Sequence, residues 1–397
     1  MGADFRFIHC ADLHLGSRFA GISKNDRELG RRMTESTFAS FGRIVDLSID
    51  RKADFMVISG DVYDEQNETP RTRYRFAKEL DRAGIPCFIS LGNHDFKRSW
   101  ENSIPYPDNV TVFPAESTSK LLSIGGEEIE VIGRSFSTRH TSENLAGSLR
   151  GSQGMFTVGV VHCDLDSTSG DSDYAPCRLD DLMNRGVDYW ALGHIHKRSV
   201  RHECPYVVYP GNIQGRSTKE SGEKGAYVVT VRGGAVSKMD FVPTQDILWQ
   251  DLTIEIDGKI MRDVENEISV KSRRGSMLSL TFKGRGDLDS PLRLGLDGML
   301  EQIAQATGCI ISCAEVNTRP NMDLESMYGR NDMLSKIISE SERSASLSKD
   351  EIISMICTTK KSAEIRSVFE SMDIDELRSM VSDAEMLLLE KLTEGSR

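Results

Sequence analysis

The stretch GVDYWALGHIHKRSV, residues 186–200, joins an apolar run to a pair of histidines. Val187 to Leu192 reads as a buried strand, Gly193 ends it, and His194 and His196 follow with one residue between them. Residues at i and i+2 of an extended chain point to the same face. The two imidazoles are therefore expected side by side at a strand end, and the rest of the chain shows what meets them there.

The same pattern recurs upstream. FRFIHC (5–10) runs into Asp12 and His14, and DFMVIS (54–59) runs into Asp61 and Asp64. IPCFISL (85–91) is followed by Asn93, His94 and Asp95, and FTVGVV (156–161) by His162. Helical patterns lie between the strands. Leu29, Met33, Phe38, Phe41, Val45 and Ile49 share one side of the first. The next, 70–84, opens with Pro70 after Thr69 and closes at Gly84. LDDLMNRG is a third. Strand-helix alternation with nearly continuous apolar strands predicts an α/β fold with a sheet covered on both faces. In such sheets the working residues sit at the carboxyl ends of the strands.

YVVYPGN and GAYVVTVRGG add strands up to about residue 243. From Trp249 onward the pattern changes to a small β-α-β-α-β unit: WQDLTIEID, a charged helix (259–273), SMLSLTFKG, a helix (290–307) and GCIISCAEV. Thr318 to Asn331, with Pro320 and Gly329, reads as a linker before a helical remainder. The expected organisation is a main domain over 1–246, a small α/β capping domain over 247–319, a linker over 320–332 and a helical C-terminal region over 333–397.

A chain of 397 residues fits two or three such units. Its formal charge of −12, from 49 basic and 61 acidic residues, argues against nucleic-acid binding driven by overall charge. A local basic groove, or metal ions that supply positive charge, are left open. No apolar run approaches the roughly 18 residues of a membrane span. MGADFRFIHCADLH pairs no basic segment with an apolar one, so no secretory leader is expected. Arg6 stands where a myristoylation motif needs Ser or Thr. Eight cysteines without zinc or disulfide spacing fit a cytoplasmic protein with free thiols.

Five of the eight histidines fall at the strand ends, together with carboxylates and an amide. Carboxylate, amide and imidazole donors without thiolates suit Mn²⁺, Fe²⁺ or Zn²⁺ rather than a soft metal. Asp61, the middle member, is placed to bridge two ions. Ions roughly 3.5–4 Å apart activate a water and stabilise both oxygens of an in-line displacement at phosphorus. His194 and His196 are then expected to serve one ion each.

The order D-x-H, G-D-x-x-D, G-N-H-D, V-H, G-H-x-H resembles the calcineurin-like metallophosphoesterase superfamily. Within it, YPGNIQGR (209–216) followed by GEKGAYVV (222–229) is similar to the SbcD/YhaO branch of DNA-repair nucleases. The resemblance covers residues 5–245. It implies a β-sandwich flanked by helices and two Mn²⁺, with Fe²⁺, Zn²⁺ or Mg²⁺ as substitutes. It puts Asp12, His14, Asp61 and His196 on one ion, and Asp61, Asn93, His162 and His194 on the other. His94 would stabilise the transition state or protonate the leaving 3′ oxygen.

Asp64 departs from the histidine that archaeal and eukaryotic nucleases of the family often carry. It either accepts a hydrogen bond from His94, making a general-acid dyad, or stabilises its own turn.

The resemblance implies a two-metal DNA exonuclease or endonuclease in double-strand-break repair, cytoplasmic and nucleoid-associated, with an SMC-like ATPase of SbcC/YhaN type as partner. A phosphodiesterase for small phosphoesters and a non-catalytic scaffold for the ATPase are the competing readings. Asn212, Arg216 and Lys219 are candidate substrate contacts. Arg216, Lys219 and Lys224 either touch a phosphate backbone or are solvated beside Glu220 and Glu223. The family homodimer forms through helices flanking G-N-H-D, but KRSWENSIPYPDNV is short there and carries Pro105 and Pro107. In the tail, Leu377, Met380, Val381, Ala384, Leu388 and Leu392 form an apolar stripe that either docks the ATPase or packs on neighbours around Ile352–Phe369.

Overall fold

The structure, a computed structural model, describes residues 4–17, 27–64, 69–95, 104–166, 174–321, 333–358 and 366–394. The chain divides into two compact units, Met1–Asp251 with Arg273–Ser279, and Leu252–Ser272 with Leu280–Arg397.

The first unit begins β1 (Phe5–Cys10), α1 (Arg27–Asp50), β2 (Phe55–Ser59), α2 (Pro70–Ala83), β3 (Cys87–Ser90), β4 (Val110–Val112), β5 (Thr118–Ile124) and β6 (Glu127–Arg134). It continues β7 (Phe156–His162), β8 (Asp164–Leu165), β9 (Pro176–Cys177), α3 (Leu179–Leu182), β10 (Tyr189–Gly193) and β11 (Ser199–Glu203). It closes with β12 (Tyr206–Tyr209), β13 (Gly225–Arg232) and β14 (Ala235–Pro243). Two six-stranded sheets result, ordered β14-β13-β1-β2-β3-β4 and β11-β12-β10-β7-β6-β5.

Strand periodicity decides what each face buries. Phe5, Phe7, Phe55 and Val57 point to one side and join Val158, Val160, Tyr189 and Ala191 of the other sheet in a core between the two. Their alternates Ile8, Cys10, Met56 and Ile58 face the other way, packing with Phe41, Ile44 and Val45 of α1 and Phe76 and Leu80 of α2. Val161, Trp190 and Leu192 cover the outer face of the second sheet with Leu145, Leu149 and Leu182. Each such side chain contributes roughly 1.5–3 kcal/mol by leaving water. The single sheet covered on both faces is thus two stacked sheets, the sandwich that the family resemblance implies.

The helix limits follow local chemistry. Thr69 accepts the Thr72 N–H at 3.2 Å, Pro70 opens α2, and Gly84 closes it at φ 64°. Along α1, Met33, Phe41 and Val45 are buried, but Ile49 is 47% exposed. Strands β1 to β4 run parallel, as do β6, β7, β10 and β12, so their carboxyl ends deliver loops in common directions.

Next come β15 (Trp249–Glu255), α4 (Met261–Lys271), β16 (Met277–Arg285), α5 (Asp289–Leu294), α6 (Leu296–Thr307) and β17 (Ile310–Arg319), with the strands ordered β15-β16-β17. The helix expected over 290–307 is interrupted at Gly295. Most of the expected linker, 322–332, lies outside the described residues.

The tail holds α7 (Met333–Ala345), α8 (Lys349–Ile356), α9 (Arg366–Ser371) and α10 (Ile374–Glu394). Leu377 and Val381 pack on Ile352, Ile353 and Phe369, and Leu389 packs on Ile338. Met380 and Leu388 stay 40% and 51% exposed. The apolar stripe is therefore split between packing on its neighbours and facing outward. Among the described residues no helix is long and apolar enough to cross a membrane. All eight cysteines are free.

Candidate metal centre

The loops after β1, β2, β3, β7 and β10 converge on one buried polar cluster. Asp12 N–H donates to Gly60 O at 3.0 Å and His14 N–H to Asp61 O at 2.9 Å, tying the first loop to the second. Asp61 Oδ1 accepts the His94 backbone N–H at 3.0 Å, tying the second to the third. Asp12 Oδ1 accepts the His194 backbone N–H at 3.0 Å, which brings in the loop after β10. Asp95 accepts N–H groups from Val62, Tyr63 and Gly92 at 3.2, 2.9 and 2.8 Å, clamping loops two and three. Burial, with the Asp61 charge next, pushes the Asp95 carboxyl up to about 7.

Close approach also needs missing side chains. A Cβ on Gly193 would stand 1.7 Å from Ser59 O, and one on Gly92 would stand 2.3 Å from Asp61 Oδ1. Asp12, His14, Asp61 and His194 take φ values of 51°, 43°, 49° and 108°. Such conformations cost of order 1–3 kcal/mol each and persist where the surroundings over-determine them.

Three groups of donors each lie within 4.8 Å of one another: Asp12, His14 and His196; Asp12, Asp61 and His162; and His14, Asp64 and His94. Asp61 Oδ2 stands 3.8 Å from His14 Nε2 and 3.6 Å from His162 Nε2, facing both sides of the cluster. Asp12 and Asp61 are 1% and 2% exposed. Burial is the main cause that raises the Asp12 carboxyl, and the Asp61 charge adds to it against neighbouring imidazoles.

The donor set fits cations. His162 Nδ1 lies 3.0 Å from Ser59 O, where it can only donate, so in the neutral ring the lone pair is on Nε2. That lone pair faces two acceptors, Asn93 Oδ1 at 3.0 Å and Asp61 Oδ2 at 3.6 Å. His196 Nδ1 donates to Glu220 Oε1 at 2.7 Å, and its Nε2 lies 3.1 Å from His14 Nε2. Imidazole and carboxylate donors gathered this closely in a buried cluster suit a positive charge between them. Burial opposes the charged form of His196, but the Glu220 hydrogen bond and the Asp12 charge outweigh it and raise its pKa.

One geometric expectation needs correcting. β10 ends at Gly193, and His194 with φ 108° turns the chain out of the strand. His194 and His196 therefore do not share the face of an extended segment. The His194 ring packs edge-on against His162 and tilted against Tyr174, both with centroids 5.2 Å apart, while His196 reaches His14. The two histidines do reach different neighbours, through a bend between them.

The other candidates fall unevenly. The His94 ring lies edge-on to His14 at 5.3 Å, and its buried Nδ1 has no hydrogen-bond partner among the described residues. Asp64 Oδ1 lies 3.9 Å from His14 Nδ1 and 3.8 Å from Arg216 Nη1. Arg216 therefore reaches the cluster. Asn212 is buried; its NH₂ donates to Gln214 O and Glu220 Oε2 at 2.9 Å each, while its Oδ1 has no hydrogen-bond partner among the described residues. Lys219 is exposed. Lys224 is buried and donates to His196 O at 3.1 Å, a strut and no surface cation. Glu220 and Ser59 hold candidate ligands, yet sequence reasoning singled out neither. Each sits among ordinary polar residues, and only the fold shows what it touches.

A calcineurin-like phosphoesterase family model matches residues 5–198. The uncharacterized metallophosphoesterase YhaO of Bacillus subtilis is 35% identical over 318 residues, 77% of this chain and 78% of that protein. The chain belongs to the calcineurin-like phosphoesterase family, and is an enzyme that hydrolyses phosphoester bonds with the help of metal. It is also similar to the DNA double-strand break repair protein Mre11 of Methanocaldococcus jannaschii, at 22% identity over 341 residues, 81% of this chain and 87% of that one. A solved dimetal phosphatase from Danio rerio aligns over 58% of this chain and 93% of that one, with TM-score 0.35 and 12% identity.

Proposed function

We propose that this metallophosphoesterase is a two-metal DNA nuclease of double-strand-break repair that works with an SMC-like ATPase and uses Mn²⁺. The observation that carries the two-metal part is the Asp12–Asp61 pair: Asp12 belongs to two donor groups, one with His14 and His196 and one with Asp61 and His162, and Asp61 Oδ2 stands 3.8 Å from His14 Nε2 and 3.6 Å from His162 Nε2. The similarity to a DNA double-strand break repair protein over most of both chains supports DNA as the substrate.

In this reading Asp12, His14, Asp61 and His196 would hold one ion, and Asp61, Asn93, His162 and His194 the other. Two divalent ions bound there would supply Lewis acidity and water activation for hydrolysis of a phosphodiester at neutral pH. The remaining steps belong to the chain. Arg216, anchored beside Asp64, offsets charge on the phosphate. His94, held through its own backbone by Asp61, keeps its imidazole free to hand a proton to the departing 3′ oxygen as the P–O bond breaks. The exposed Met380 and Leu388 on α10 offer apolar surface for the ATPase.

The test is cleavage of end-labelled duplex and single-stranded DNA in Mn²⁺ or Mg²⁺, with and without the ATPase, beside a chromogenic phosphodiester. Metal-dependent release of labelled nucleotides supports the nuclease. Turnover of the small diester with both DNAs left intact assigns the chain to small phosphoesters instead. No turnover of any substrate favours a scaffold.

A further inference from the structure

Glu220 stands outside every donor group, yet both of its oxygens are engaged. Oε1 accepts from His196 Nδ1 at 2.7 Å. Oε2 accepts the Arg216 backbone N–H at 2.8 Å and the Asn212 amide at 2.9 Å. Asn212 is itself buried and bonded to Gln214 O at 2.9 Å, so the carboxylate is anchored from inside the protein. The guanidinium of Arg216 leaves the same turn toward Asp64 at 3.8 Å and Ser17 Oγ at 3.4 Å.

We infer that Glu220 is a positioning residue that prepares the ion site and the phosphate site together. Through Oε1 it fixes His196 as the Nδ1–H tautomer, which keeps Nε2 available as a ligand. Through Oε2 it holds the turn that presents Arg216. This rests on the two-metal reading above. A ligating histidine whose second nitrogen donates to a carboxylate is oriented and made more basic, and loss of such a partner typically weakens metal binding or activity 10–100-fold. An ordinary ion pair with Arg216 explains less. The Arg216 Nη2–Glu220 Oε1 separation is 3.6 Å, beyond hydrogen-bond range, against 2.7 Å to His196.

Glu220→Gln separates the two tasks because an amide has one acceptor oxygen where the carboxylate has two. With that oxygen on Arg216 and Asn212, the NH₂ faces His196 Nδ1. The imidazole then takes the Nε2–H tautomer, which cannot ligate. Mn²⁺ titration by calorimetry should show one of two binding events weakened about 10–100-fold in the variant and the other unchanged. The spin-coupled dimanganese signal should appear only at correspondingly higher Mn²⁺, and excess Mn²⁺ should restore turnover. The melting temperature of the metal-free protein should stay near that of the wild type, which separates this role from a structural one.

Two unchanged binding events in Glu220→Gln overturn the inference while the two-metal reading stands. A wild-type protein that binds fewer than two ions overturns that reading itself. If Glu220→Gln does not fold, Glu220→Asp, which keeps the charge but shortens the reach, must show the same selective loss. Unchanged binding in that variant refutes the inference.

Discussion

Replacing Asp61 with asparagine separates what this carboxylate does with metal from what it does without. Metal-free, the Asp12 and Asp61 carboxylates are both almost wholly buried and belong to one donor group within 4.8 Å. Two negative charges at that separation repel by about 3 kcal/mol at an effective dielectric constant of about 20. The backbone N–H groups of His94 and His194, which donate to Asp61 and Asp12, offset part of this, so Asp61→Asn should stabilise the metal-free protein by about 1–3 kcal/mol. For a domain of this size that raises the melting temperature roughly 2–4 °C per kcal/mol. With Mn²⁺ the sign reverses. A site filled at 100 times its Kd adds about 2.7 kcal/mol, and a variant without the shared ligand forgoes most of it. Melting curves in EDTA and in saturating Mn²⁺ should therefore cross: variant above wild type in the first, below it in the second. A variant that melts lower in EDTA, or that shows a wild-type shift with Mn²⁺, would refute the bridging argument.

Three further outcomes are expected. His94→Ala should keep both metal ions and DNA binding while cleavage slows roughly 10²–10⁴-fold; single-turnover rates beside metal analysis check this, and loss of metal would contradict it. Gly193→Ala should cost about 1–3 kcal/mol or more, since its Cβ would sit 1.7 Å from Ser59 O, and should weaken metal binding by moving the His162 partner; denaturant melts that match the wild type would count against it. Met380→Lys with Leu388→Lys should change stability by no more than about 0.5 kcal/mol per substitution, because both side chains are exposed. It should nevertheless abolish co-purification with the proposed ATPase partner, and undiminished capture would remove α10 as the proposed docking surface.

Much of this site was legible in the sequence because it is built from strand ends. An apolar run that stops at a glycine or a short turn marks where a buried strand reaches the surface. Asp12, Asp61, Asn93 and His194 stand just past such stops, and His162 is the last residue of β7. Their grouping needed no distances. The bend at His194 was not legible, since φ 108° goes with a hydrogen bond from its N–H to the Asp12 carboxylate, a contact 182 residues away in sequence. The same holds for Glu220 and Lys224. In GRSTKESGEKG they look like mixed surface charge, and only the return of that loop beneath His196 turns one into a clamp and the other into a strut. The second sheet escaped a count of strands because stacked sheets and a single covered sheet carry the same apolar periodicity.

Anomalous scattering from crystals soaked in Mn²⁺ tests the central claim most directly. Two peaks are expected about 3.5–4 Å apart, one between Asp12, His14, Asp61 and His196 and one between Asp61, Asn93, His162 and His194, with Asp61 touching both. A single peak, or one lodged in the His14, Asp64 and His94 group, would contradict the two-metal centre and the hydrolytic chemistry derived from it.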